Sequence, residues 1–255
     1  MKIFVCIKQV PDIDAPLHMK DGKLILDDDR KSMNAYDASA VEEALLLAEK
    51  VQGSVEVVLA GPEDANDTIR KALAMGAGRG THIVVNETGY DSYIHAKILA
   101  AFFSDQQYDY IFCGKQSQDT DAGLTGSMLA ELLSLPYVSN AVGISSEKEV
   151  LLVTRQGDQG QEIITLPSPG LVTCSNDMNN PRIPGLKGIM QSKKKPVDVI
   201  ALHDLISHIP DEDVLTRTVR YEEKPVRKPG KKLTGEPEEI ARELVRALGR
   251  ETTVL

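Results

Sequence analysis

Short apolar runs alternate with longer segments whose apolar residues recur at helical spacing, and this alternation constrains the chain more than any other feature. Lys2–Lys8, Val55–Ala60, His82–Asn86 and Asp109–Cys113 read as buried strands. Between them, Asp37–Val51, Glu63–Met75 and Ser92–Ser104 read as helices, with Val41, Ala44, Leu45 and Ala48 on one face of the first. Such an order predicts an α/β fold: a mostly parallel sheet with helices on both faces. Right-handed crossovers place every strand's C-terminal end along one edge, where open α/β sheets bind ligands.

The pattern changes after Thr120–Ser134, the predicted fourth helix. Val150–Thr154 and Gln161–Leu166 flank a turn-rich run from Arg155 to Gly160, a hairpin signal, and Gly170–Cys174 reads as another strand. From Asn179 onward Pro181, Pro184, Pro196, Pro210, Pro225, Pro229 and Pro237 interrupt regular structure. Arg217–Lys232 carries seven Lys or Arg and two Glu, too little apolar surface to bury alone, and reads as an arm lying on something else. In the helix predicted over Pro237–Leu248, Ile240, Leu244 and Leu248 share a face that needs a surface to cover. The expected division is therefore an α/β domain over 1–200 and an extended C-terminal arm with a short helix over 201–255.

A net charge of −9 argues against a nucleic-acid partner, which calls for a basic balance. Cys6, Cys113 and Cys174 are isolated thiols that suit a reducing compartment. Met1–Val5 runs straight into a strand without a leader pattern, and no stretch approaches the ~20 apolar residues of a membrane span. The expectation is a soluble, cytoplasmic chain without membrane insertion. His18, His82, His95, His203 and His208 show no metal-ligand spacing, and no Ser-His-Asp arrangement can be argued. Neither a metal site nor a catalytic centre is predicted.

Four segments fall at strand C-terminal ends: Cys6–Asp12, Ser32–Asp37, Ala60-Gly61-Pro62 and Gly114–Thr125. The last leaves a strand, carries Gly114 for close backbone approach, and enters a helix whose N-terminal N–H groups make an anion site. Thr120, Thr125 and Ser127 offer hydroxyls and Lys115 a cation, although Asp119 and Asp121 keep the loop from being simply positive. The alternative is a polar βα loop with Asp119 or Thr120 capping its helix. Asp37 reads as an N-cap, and Asn34 as a turn residue with a free amide suited to a purine edge. The run Gly76-Ala77-Gly78-Arg79-Gly80 follows a helix and precedes a strand, the reverse of a dinucleotide fingerprint, and reads as a helix stop.

Taken together, several motifs resemble electron-transfer flavoprotein β subunits in order and spacing. They are Cys6-Ile7-Lys8-Gln9-Val10-Pro11-Asp12, Ser32-Met33-Asn34, Ala40-Val41-Glu42-Glu43-Ala44, Gly61-Pro62, Thr68 to Ala77, Gly114-Lys115-Gln116, and Asn180-Pro181-Arg182 through Lys195. The resemblance spans residues 1 to about 200 and implies a Rossmann-like domain that buries a structural AMP. The resemblance also implies pairing with an α subunit that carries the redox-active FAD. By position, Cys6 and Ala60 would contact AMP through backbone, and Asn34, Ala35, Tyr36 and Asp37 would surround base and ribose. Gly114, Lys115, Gln116, Ser117, Gln118, Asp119, Thr120, Asp121, Ala122, Gly123, Leu124 and Thr125 would surround the phosphate.

The resemblance also implies a partner-docking loop over 182–196, with Leu186 at the anchoring position. Arg182, Ile189, Met190, Lys193, Lys194 and Lys195 would surround it; a single apolar anchor in a partner pocket is hot-spot physics. Implied partners are the α subunit, wrapped by the C-terminal arm, an acyl-CoA or related flavin dehydrogenase, and a downstream quinone oxidoreductase or other acceptor. One branch of the family, electron-bifurcating, holds a second FAD in place of AMP and oxidises NADH. Thr125 fits the AMP type, because its hydroxyl can bond a phosphate. Gln9-Val10-Pro11-Asp12 and Tyr36-Asp37 stand closer to the bifurcating type, and Gly123-Leu124 departs from both. A non-redox AMP/ATP-binding module on the same fold is a further alternative.

Overall fold

The computed structural model describes residues 1–255 except 17, 21–22, 26–29, 87–88, 149, 211–213, 223–224, 226–228 and 252–255. It divides into two compact units, Met1–Arg220 and Tyr221–Leu255. The first begins with β1 (Lys2–Cys6), β2 (Gln9–Pro11), β3 (His18–Lys20), β4 (Lys23–Ile25), β5 (Lys31–Met33), α1 (Ala35–Val51) and β6 (Ser54–Gly61). It continues with a 3-10 turn at Glu63–Ala65, α2 (Asn66–Met75), β7 (Arg79–Val84), α3 (Ser92–Phe103), β8 (Tyr110–Gly114) and α4 (Thr125–Leu132). There follow β9 (Tyr137–Glu147), β10 (Val150–Gly157), β11 (Gly160–Leu166), β12 (Gly170–Cys174), α5 (Leu186–Ser192), β13 (Val197–Ala201) and α6 (Leu202–Leu205).

Nine strands form one sheet in the order β11-β10-β9-β12-β8-β1-β6-β7-β13. From β9 through β13 the neighbouring strands run parallel, and β9-β10-β11 close one edge as an antiparallel meander. The two-residue period of β1 sends Ile3 and Val5 to the face covered by α1 and α2. Phe4 and Cys6 go to the face covered by α3 and α4. With no Trp available, Phe4, Phe102, Phe103 and Tyr108 meet edge to face there, ring centroids 5.1 to 5.9 Å apart. The expected α/β architecture is the observed one, hairpin included. Gly76, at φ 147°, stops α2 as expected before β7 begins.

Two differences bear on function. The strand β9 was not expected, and the reason is local: Asn140 takes a left-handed φ of 57°, and ladder irregularities on both flanks break the two-residue period. The fourth helix begins at Thr125 rather than Thr120, because 117–122 close a turn in which Asp121 N donates to Ser117 O and Ser117 N to Ala122 O. Topology gives the switch point, where open α/β sheets bind ligands. The chain steps from β1 to β6 and β7 on one side, then returns to β8 on the other, so the switch point lies between the C-terminal ends of β1 and β8.

The second unit contains α7 (Pro237–Glu251), with Glu238 and Glu239 in its first turn and Arg250 in its last, matching the helix dipole. The basic stretch Arg217–Lys232 crosses the boundary between the units, and 223–224 and 226–228 lie outside the described residues. Among the described residues no helix is long and apolar enough to cross a membrane.

Candidate functional site

At the switch point the loop after β8 is stapled to its neighbours. Side chains of a helix lean toward its N-terminus, and Asn34 and Asp37, three residues apart at the start of α1, both serve the gap between β1 and β8. Asp37 Oδ2 accepts from Lys8 N at 2.7 Å, and Oδ1 from Gly114 N at 3.0 Å. The Asn34 amide donates to Gln116 O at 2.8 Å and accepts from Gln118 N at 3.0 Å. Gln118 Oε1 in turn accepts from Ala35 N at 3.0 Å.

Two expectations are thereby corrected. Asp37 is not the N-cap: it lies inside α1 and ties two strand ends together. Asn34 holds the cap position without a side-chain cap, and its amide is not free but committed to the loop; Gln118 satisfies the first helical N–H from outside. Gly114 is required here, since a Cβ would stand 2.8 Å from Tyr36 Cβ and 2.9 Å from Asp37 N, and would overlap the Asp37 carboxylate.

The cation observed against the loop is Lys8, which was missing from the expected site. Its ammonium bonds Ser117 Oγ at 2.8 Å and Asp119 Oδ1 at 2.9 Å, and the Ser117 hydroxyl also donates to Asp119. Lys8 lies just past the end of β1, and that position was the available signal. Asp119 and Thr120 cap nothing. The N-cap position of α4 is Leu124, which bears no capping group, and Gly126 lets this end press onto β12, where a Cβ would stand 2.6 Å from Thr173 Cγ2. Thr125, Gly126 and Ser127 thus form an uncapped helix start beside the crevice, suited to an anion.

Burial lifts the Asp37 carboxyl to about 7, against the pull of the Lys8 and Gly114 N–H groups and the Lys8 charge. Burial also pushes Asp119 up, but the Ser117 hydrogen bond and Lys8 outweigh it and leave this carboxyl below its ordinary value. Cys6 and Cys113 lie opposite each other on β1 and β8. Their mutual hydrogen bond and burial raise the Cys6 thiol well above normal, and burial does the same for Cys174. All three are buried, as small core residues rather than nucleophiles. Ala60, near the end of β6, completes the edge.

The segment 179–196 is clamped at both ends. Arg182 bonds Glu42 through Nε at 2.8 Å and Nη2 at 3.0 Å, and Glu49 through Nη1 at 2.8 Å. Lys195 Nζ donates to Leu73 O in the last turn of α2 at 2.8 Å and to Ala77 O just beyond it at 2.7 Å, while Arg70 donates to Ser192 O and Lys195 O. Arg182 and Lys195, expected to face a partner, instead turn inward and hold the segment. Between the clamps α5 lies hard on α2, where a Cβ at Gly188 would stand 2.5 Å from Ala74 O. Its outer side exposes Leu186 (76%) and Met190 (63%), with Ile189, Lys193 and Lys194 beside them and Ile183 (93%) just before.

A family model described as Electron transfer flavoprotein domain matches residues 22–205. The chain is 34% identical to the electron transfer flavoprotein subunit beta of Bacillus subtilis (strain 168) over 100% of both chains. It is 40% identical to the same subunit of Bradyrhizobium diazoefficiens over 77% of this chain and 80% of that one. It is also 35% identical to the acryloyl-CoA reductase electron transfer subunit gamma of Anaerotignum propionicum, over 78% and 77% of the two chains. The parallel sheet, its stapled switch-point loop and these matches agree: the chain belongs to the electron transfer flavoprotein family, as a β subunit.

Proposed function

We propose that this chain is the nucleotide-holding half of a heterodimeric electron carrier. It pairs with an α subunit that carries the redox-active FAD, receives electrons from flavin dehydrogenases of the acyl-CoA class, and passes them to a downstream quinone oxidoreductase or comparable acceptor. One observation carries the nucleotide assignment: the uncapped start of α4 stands at the β1/β8 switch point, on a loop held rigidly by Asn34, Asp37 and Lys8. These residues fit AMP. The first N–H groups of α4 with the Thr125 and Ser127 hydroxyls would take the phosphate. Backbone at Cys6, Ala60 and 34–37 would line the base and ribose. AMP here supplies structure rather than chemistry. The exposed side of α5, with Leu186 at its start, is the docking surface for the dehydrogenase, and the basic arm with α7 is the contact to the α subunit.

A second reading places FAD in the same edge, in a bifurcating subunit that oxidises NADH. It is favoured by the likeness to an electron transfer subunit of an acryloyl-CoA reductase and by the Tyr36-Asp37 pair. Acid release of ligands from the purified heterodimer separates the two. One FAD with one AMP supports the carrier; two FAD without AMP establishes the second reading and overturns the first.

A further inference from the structure

The helix α5 lacks most of what ordinarily holds a helix. At seven residues it is too short to persist on its own propensity. Gly185, at its N-cap position, offers no side-chain cap. Ser192 is its one buried residue, so no apolar side chain of α5 is sealed in the core. Leu186, Ile189 and Met190 are instead exposed.

Polar bonds from two helices take the place of that packing. Before α5, Asn179 Nδ2 donates to Ser39 O at 3.1 Å and to Glu43 Oε2 at 3.0 Å. Arg182 spreads its guanidinium over Glu42 and Glu49, and its backbone N–H also donates to Glu42 Oε2 at 3.0 Å. All of these acceptors stand on α1. After α5, Arg70 and Lys195 join the chain to α2 and the residues just beyond it through bonds to four carbonyls. Between the two, the backbone of Gly188 presses against Ala74 O. Both α1 and α2 are seated in one apolar cluster, so the clamps share a single rigid base.

We propose that Arg182, Gly188 and Lys195 are positioning residues for docking: from the inner side of the segment they set where Leu186 stands, and none of the three touches the dehydrogenase. The proposal rests on reading the outer side of α5 as the docking surface. An arginine fork on a carboxylate fixes direction as well as distance, and the Glu42 carboxylate beneath it is withdrawn from water. An anchor already ordered loses less freedom when its partner arrives. A methyl at Gly188 reaches the same end by another route. In an open helix Gly→Ala is favourable, but here the Cβ meets backbone that cannot turn aside. Either change displaces Leu186 while every exposed side chain of α5 remains in place.

The test uses the purified α/β heterodimer as wild type, Arg182→Ala, Gly188→Ala, Leu186→Ala and the Arg182→Ala/Leu186→Ala pair. The first readout is amide exchange over 189–195 with no dehydrogenase present. Wild-type amides are protected, and protection falls about tenfold in Arg182→Ala and Gly188→Ala while β1 and β8 exchange as before. An unprotected wild-type segment overturns the proposal and needs no variant to fold. The second readout is flavin reduction by butyryl-CoA dehydrogenase with butyryl-CoA. Arg182→Ala and Gly188→Ala each raise the apparent KM for the dehydrogenase about fivefold at an unchanged limiting rate. The paired variant is no worse than Leu186→Ala alone, because the clamp acts through that anchor. Additive losses, or a KM raised only by Leu186→Ala, overturn the positioning role. A KM unmoved in all variants, or no transfer to the wild type, removes the docking reading and leaves the clamp to the exchange result.

Discussion

The switch-point loop and the α5 segment are both held by charged side chains turned inward, but they are held for opposite ends. At the loop, Asn34, Asp37 and Lys8 engage backbone and hydroxyl groups beside an uncapped helix start. At α5, Arg182 and Lys195 take up the segment's two ends and leave Ile183, Leu186 and Met190 facing outward. On the proposed function, one surrounds a ligand and the other is surrounded by a partner. In both, ordering is completed before binding, so less entropy is lost when the partner arrives.

The largest expected contrast is between two glycines. Gly114→Ala forces a Cβ onto the Asp37 carboxylate and the Tyr36 side chain, and should cost about 3 kcal/mol by denaturant unfolding. Gly185→Ala, at the start of α5, meets nothing within 4 Å and should be neutral within about 0.5 kcal/mol. Equal losses would mean that the loop is no more tightly built than the α5 segment.

Next comes the Arg182–Glu42 clamp, whose side chains are 33% and 7% exposed. Arg182→Ala strands the buried carboxylate and should cost about 2 kcal/mol, discounted for the solvent at the guanidinium. Glu42→Ala should cost less, because the arginine keeps Glu49 and water. The reverse order in chemical denaturation would show that the clamp is not what seats the segment. Leu186→Ala should leave unfolding unchanged yet raise the apparent KM for the dehydrogenase about tenfold, with FAD content intact. Unaltered transfer kinetics would remove α5 from docking.

The smallest contrast is in pH, and its signs are opposite. Asp37 has its folded pKa raised to about 7 by burial, so its stabilisation is full below its ordinary value of 3.8 and is lost as pH rises through about 7. For Glu42, burial raises the pKa but the Arg182 bonds and charge outweigh it and lower it below 4.5. Its contribution is therefore present above the ordinary value and lost as pH falls through the lowered one. Asp37→Asn should flatten the slope between pH 4 and pH 7; Glu42→Gln should flatten only the acid limb. If both variants changed the same limb, the two regions would not be electrostatically distinct.

Periodicity made the parallel strands and their shared edge legible, because β1, β6 and β8 are largely buried on both faces and read as short, mostly apolar runs. It failed at β9, where Tyr137–Glu147 mixes polar residues with a left-handed Asn140. The segments of the site were legible as positions, since they follow strand ends. The directions of their side chains were not. Asp37 and Asn34 carry the composition of a cap and a turn, and only the return of β8 beside β1 gives their polar atoms other partners. Arg182 and Lys195 resembled the surface charges around them for the same reason: Glu42 and the Leu73 and Ala77 carbonyls that pair with them lie more than a hundred residues earlier.

The claim at the centre is that the switch-point edge between β1 and β8 holds a mononucleotide. A crystal structure of the α/β heterodimer tests it most directly. The expected result is one phosphate within about 3 Å of the first N–H groups of α4, with an adenosine against the backbone of 34–37 and no flavin in this chain. An isoalloxazine ring in that edge, or the nucleotide bound elsewhere on the chain, would contradict it.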